Sequence, residues 1–176
     1  TLDRSSAASD VYTRQCDAWT ITKGKGVSVA VLDQGIDSKH KEFAENYSSL
    51  SYDLTTKSLP TQVYGEHGTH VAGIIGANHN GIQIAGLAPE VSLVSLSHPL
   101  TVGTERVAQL ASGFGYATTH GIDVINNSWG DQGGRLYQQL HSSLLEESIQ
   151  NALTNGRNGK GMVVVFASGN QAGQRT

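Results

Sequence analysis

A single cysteine, Cys16, occurs in the 176 residues, so no disulfide can form within the chain. No apolar run reaches the ~20 residues that a membrane-spanning helix requires. Residues 1–26 are polar and lack the apolar middle of a signal peptide, so an exported form has already lost its signal. There is no long basic run, and the net charge is −3, which leaves nucleic acid without an electrostatic footprint. Internal repeats and low-complexity tracts are absent. So is any Gly-x-x-x-x-Gly-Lys-Ser/Thr loop, and Gly24-Lys25-Gly26 precedes a strand candidate, the wrong order for a dinucleotide site. These absences exclude nucleotide chemistry, nucleic-acid binding and a helical membrane span.

What remains is a chain with 38% hydrophobic residues and 21 glycines, the composition of a compact globular protein with many tight turns. Its length suffices for one domain with a real core. Short apolar runs at 27–32, 91–96, 122–127 and 162–167 read as buried strands, and 47–54 as a weaker one. Between them, 69–77 is small and apolar all round and reads as a buried helix. The 104–120 segment carries Val107, Leu110, Ala111, Phe114 and Ala117 at helical spacing. A second amphipathic helix is expected over 136–155, with Leu140, Leu144, Leu145, Ile149 and Leu153, closed by Gly156. Strands alternating with helices predict an α/β fold, a central parallel sheet with helices on both faces.

In such sheets the functional crevice lies at the carboxyl ends of the strands. Asp33 comes directly after the first strand, Asn126, Asn127 and Ser128 close the fourth, and Ser168, Gly169 and Asn170 follow the last. His67 opens a helix near that edge. An imidazole that takes a proton from a hydroxyl needs its other nitrogen held by a carboxylate, and Asp33 can hold it from a rigid strand end. Asp37 competes for the role, and either Asp could instead cap a turn. Gly68 lets a substrate backbone approach His67 closely. His70 forms a His-x-x-His pair with His67 but has no third ligand nearby, and reads as a packed helix residue rather than a zinc ligand. The Asn170 side chain can donate to a developing oxyanion, or can simply be a turn residue. Ser128, Trp129 and Gly130 can pair with a substrate backbone as an added strand, Gly130 leaving room for a pocket; Trp129 suits plain core equally well. Ser128 has no Gly-x-Ser-x-Gly elbow around it.

Together these blocks closely resemble the subtilisin-like serine proteases, the subtilases. Val29-Ala30-Val31-Leu32-Asp33-Gln34-Gly35-Ile36-Asp37 is similar to the family's aspartate motif. His67-Gly68-Thr69-His70-Val71-Ala72-Gly73 is similar to its histidine motif, and Phe166-Ala167-Ser168-Gly169-Asn170 to its oxyanion segment. The resemblance covers nearly all of the chain. It implies a serine endopeptidase acting on peptide or protein substrates by acyl transfer through an Asp-His-Ser triad, and an exported protein, secreted or in the cell envelope. It also implies structural calcium. Asn80 would give a side-chain oxygen, Asn78, Ile82 and Ile84 backbone carbonyls, and Glu42 would stand where the family has a bidentate Asp, with Asp3 near an N-terminal ligand position.

One part of the family pattern is missing. Its nucleophile sits in a Gly-Thr-Ser motif well downstream of the oxyanion Asn, and no serine here has that context. The expectation is therefore that residues 1–176 are the N-terminal portion of one catalytic domain, incomplete on its C-terminal side and inactive by itself. A companion fragment would carry the serine, and the apolar faces it covers would otherwise be exposed. The alternative is a catalytically inactive subtilase-like binding or regulatory module.

Overall fold

The computed structural model describes residues 14–81, 84–101, 103–130 and 134–170. In chain order the elements are α1 (Gln15–Ile21), β1 (Ser28–Asp33), a 3-10 turn (Lys41–Phe43), β2 (Tyr52–Asp53), α2 (His67–Gly76), β3 (Ser92–Ser97), α3 (Arg106–Thr119), β4 (Val124–Asn127), α4 (Tyr137–Leu140), α5 (Ser143–Gly159) and β5 (Val163–Phe166).

The five strands form one parallel sheet in the order β2-β3-β1-β4-β5. Successive side chains of a strand point to opposite faces, and here both faces are covered. Ala30 and Leu32 join Val94, Leu96 and Ile125 in a core closed by Leu110, Phe114 and Ala117 of α3. Val29 and Val31 face the other way, against Leu93, Ala72 of α2, and Ile36 and Phe43. That double burial is why the strands read as apolar runs without polar alternation. The expected α/β architecture, a parallel sheet with helices on both faces, is the one found.

Strand β1 lies at the centre, where the winding reverses. After β1 the chain adds β2 and β3 on one side, then crosses to add β4 and β5 on the other. The crevice of an open α/β sheet lies outside the strand ends at such a reversal. The outer strand β5 leaves Val163, Val165 and Phe166 substantially exposed.

Three expected elements come out differently. The 47–54 strand shrinks to Tyr52–Asp53 plus an isolated bridge between Tyr47 and Leu93. The 136–155 helix is two helices, because His141 turns extended and Ser142 restarts the helix as an N-cap residue, its carbonyl accepting from Glu146 N–H. Leu145 is buried there, while Leu144 and Leu153 fall on the solvent flank. Gly156 breaks the regular backbone as expected. Helix α2 is one-sided rather than buried all round. Gly68, Ala72, Gly73 and Gly76 make its inner stripe, and Ile74 is 72% exposed.

Candidate active site

Asp33 ends β1 and is fully buried. The register sets it beside Ser97 on β3, and His98 N–H donates to its carbonyl at 2.8 Å. Gln34 N–H donates to its Oδ1 at 2.7 Å. His67 is the first residue of α2, two positions earlier than the apolar pattern alone predicts. Its Nδ1 lies 2.9 Å from both Asp33 oxygens. A carboxylate can only accept here, so Nδ1 is the donor and Nε2 is left as the basic nitrogen. The imidazole side chain is 53% exposed while the carboxylate is at 0%. A base held from behind and open in front is the geometry that proton transfer to and from a bound substrate requires.

Asp37 no longer competes. Its carboxylate accepts from Lys39 N–H at 3.0 Å, and its own N–H donates to Thr69 Oγ1 at 3.0 Å. Gly68 has a different task from the one its position suggested. It is buried, and a Cβ there would stand 2.5 Å from the Gly35 carbonyl and 3.2 Å from Asp33 Cβ. The missing side chain lets α2 close onto the β1 exit, which brings His67 to Asp33. Gly68→Ala is accordingly expected to cost about 1–3 kcal/mol by overpacking. The check is a lower denaturant midpoint at unchanged slope.

His70 is exposed rather than packed. Two residues past Gly68 on a helix, it points away from the inner stripe. His98 is structural: it is buried, it accepts from Leu100 N–H, and its Nε2 meets Gln109 Oε1 at 2.8 Å. Burial pushes its pKa down.

At the end of β4, Trp129 belongs to the core. Its indole N–H donates to the Leu32 carbonyl at 3.0 Å, and its ring meets Phe166 edge-on. Ser128 Oγ accepts from Asn126 Nδ2 at 2.9 Å. A Cβ on Gly130 would meet nothing within 4 Å among the described residues. Asn170 is exposed, beyond β5 and a left-handed Gly169, at the same sheet edge as Asp33 with β4 between their strands.

Among the residues considered for calcium, Asp3 and Ile82 lie outside the described residues. Glu42, in the 3-10 turn, is buried at 1% exposure, and its Oε1 has no hydrogen-bond partner among the described residues. Its Oε2 accepts from Asn80 Nδ2 at 3.2 Å, and its carbonyl accepts from Asn78 N–H at 2.8 Å. Ile84 is exposed. No cluster of three or more His, Cys, Asp or Glu side chains occurs among the described residues. A buried carboxylate oxygen without a donor fits a hard cation held by oxygen ligands.

One buried carboxylate at this edge escapes sequence reasoning altogether. Asp53 ends β2 in the row next to Ser97, is fully buried, and collects donors from the loop ahead of His67. Burial alone would raise its pKa, but N–H donors from Thr56, Gln62 and Thr55 and the Ser97 hydroxyl outweigh it and hold the carboxyl below its ordinary range. The available signal was an Asp at a strand end followed by Thr55 and Thr56, the pattern of an Asp-capped turn.

The Subtilase family profile matches residues 24–176. The chain is 32% identical over 165 residues to a calcium-dependent protease of Trichormus variabilis, covering 87% of this chain and 24% of that protein. It is 33% identical over 148 residues to subtilisin E of Bacillus subtilis, covering 84% of this chain and 35% of the relative. The fold matches fervidolysin from Fervidobacterium pennivorans, a keratinolytic enzyme related to subtilisin, at a TM-score of 0.70 and 28% identity, over 90% of this chain and 23% of that one. The chain thus spans a third or less of the length of most of these proteins. With the profile running from the turn before β1 to the last residue, the chain belongs to the Subtilase family.

Proposed function

We propose that residues 1–176 are the N-terminal portion of a serine endopeptidase catalytic domain. The observation that carries this reading is the buried Asp33 carboxylate holding His67 Nδ1 with both oxygens at 2.9 Å while the ring stays open to solvent. Asp33 fixes the tautomer and stabilises the imidazolium. His67 takes the proton of a serine hydroxyl as that oxygen attacks the peptide carbonyl, then returns it to the leaving amine. Asn170 donates to the oxyanion. Residues Ser128, Trp129 and Gly130 hold the substrate backbone as an added strand. The nucleophilic serine comes from a segment beyond residue 176, which also covers the apolar side chains exposed on β5. Substrates are peptides or proteins, and export belongs to the same reading.

A serine-directed phosphonate tests this in the full protein. It should label a serine outside residues 1–176. A label on a serine within 1–176 overturns the assignment, and a folded protein that takes no label supports an inactive binding module instead.

A structural calcium ion would be held by Glu42 and the Asn80 side chain, with carbonyls of Asn78 and Ile84. The ion would supply the positive charge that the buried Glu42 oxygen lacks, and tie the 3-10 turn to the chain leaving α2. Chelation is then expected to lower the melting temperature. Glu42→Gln should remove most of the difference between calcium and chelator. An equal calcium response in Glu42→Gln would place the ion elsewhere.

A further inference from the structure

Between β2 and His67 the chain runs through residues 54–66 without a helix, and its one ladder contact is an isolated bridge between Asp53 and Ser58. A segment of this kind would ordinarily place its last residue loosely. Here it ends on the residue that has to meet Asp33.

Two sets of contacts fix it. The first converges on Asp53. Its Oδ1 accepts from Thr55 and Thr56 N–H, both at 2.9 Å, and its Oδ2 from Gln62 N–H at 3.0 Å. The Tyr64 hydroxyl lies 3.1 Å from both oxygens, and the Ser97 hydroxyl 3.1 Å from Oδ2. One carboxylate thereby binds the start of the loop, its far end and strand β3 together. The second set binds the far end to the β1 exit. Tyr64 N–H donates to the Gln34 carbonyl at 2.6 Å. Gly35, at φ +98°, leaves the space that the Gln62 carbonyl and Val63 Cα occupy.

The register completes the arrangement. Ser97 is the partner of Asp33 on one side and of Asp53 on the other. The two buried carboxylates therefore sit in one row across three adjacent strands, one holding the imidazole and the other holding the loop that delivers it. Donors to a buried carboxylate are charge-assisted and stronger than neutral hydrogen bonds, so five groups on one anion make a stiff joint.

We propose that Asp53 is a positioning residue for His67: through Gln62, Tyr64 and Ser97 it sets the distance and angle at which the loop presents the imidazole to Asp33. The inference rests on reading His67 as the general base, and it adds a residue to that machinery without giving it contact with substrate.

Asp53→Asn, made in the full chain, removes the anion and places an amide NH2 against groups that are themselves donors. Ring ¹⁵N shifts of His67 report how fully the imidazole is held in the Nδ1–H form, and they need no activity. In Asp53→Asn they are expected to move toward the mixture of tautomers seen in free imidazole. kcat should fall about 10²-fold, the size of effect that a misplacement near 1 Å produces, with KM little changed. Tyr64→Phe, which removes one donor and keeps the ring, should move the same shifts less.

A folded Asp53→Asn protein with wild-type His67 shifts overturns the proposal, even if its melting temperature drops. If Asp53→Asn does not fold, Tyr64→Phe decides: displaced shifts support the role, and wild-type shifts overturn it. A different result sinks the catalytic reading itself, namely full activity in His67→Ala, so the two failures are distinguishable.

Discussion

Replacing His67 with alanine in the full chain is expected to lower kcat about 10⁶-fold with KM little changed. The scale is that measured on subtilisin, a relative of this chain, when its triad histidine is removed. On the proposed reading, the change removes the group that takes the hydroxyl proton during attack and gives one to the leaving amine. His70 cannot substitute. It is exposed on the outer side of α2, and no acidic side chain orients it among the described residues. Segment 128–130, proposed above to pair with substrate, is untouched by the change, which is why the loss should fall on kcat. Progress curves at saturating peptide check this. A loss below about tenfold would remove His67 from the chemistry.

Asp33→Asn is expected to cost about 10⁴-fold in kcat. Substitution of the triad aspartate in a well-studied serine protease gives this size of loss, traced to the wrong tautomer. The asparagine amide can offer its NH2 to Nδ1, which then becomes the acceptor and leaves the proton on Nε2, where the base is needed. At this site the carboxylate also accepts from Gln34 N–H, so the amide is pulled toward an orientation with its oxygen on Gln34 and its nitrogen on His67. The double variant, Asp33→Asn with His67→Ala, should be no slower than His67→Ala alone, because the aspartate acts only through the histidine. Additive losses would mean that Asp33 has a second role.

The pairing of Asp33 with His67 was legible in the residues. Asp33 was found because it terminates an apolar run, and a parallel sheet sends such a terminus to the crevice. His67 was found because it opens a helix beside glycine. Both are statements about position along the chain. Asp53 was missed because its importance lies in burial and in N–H groups from a loop with no periodicity. The packing role of Gly68 does not show in the sequence, since its crowding partner Gly35 lies 33 positions away and no local pattern links them. The break at His141 is hidden in the sequence because Leu140, Leu144 and Leu145 keep helical spacing across it, while the competing Ser142 cap is a single-residue signal.

The indole of Trp129 gives the chain an optical reporter. Residues 1–176 hold two tryptophans, Trp19 and Trp129. Trp19 donates to the Leu87 carbonyl and meets the His79 ring at a 37° tilt. Trp129 is 9% exposed, its N–H rests on the carbonyl one residue before Asp33, and it follows Ser128 directly. With Trp19 replaced by phenylalanine, Trp129 is the one indole left within residues 1–176, shielded beside the end of β1. On the proposed reading, a peptide laid along 128–130 would change the dipoles around the Trp129 ring without admitting water to it. Its fluorescence would then register docking even in a protein whose chemistry has been silenced at His67.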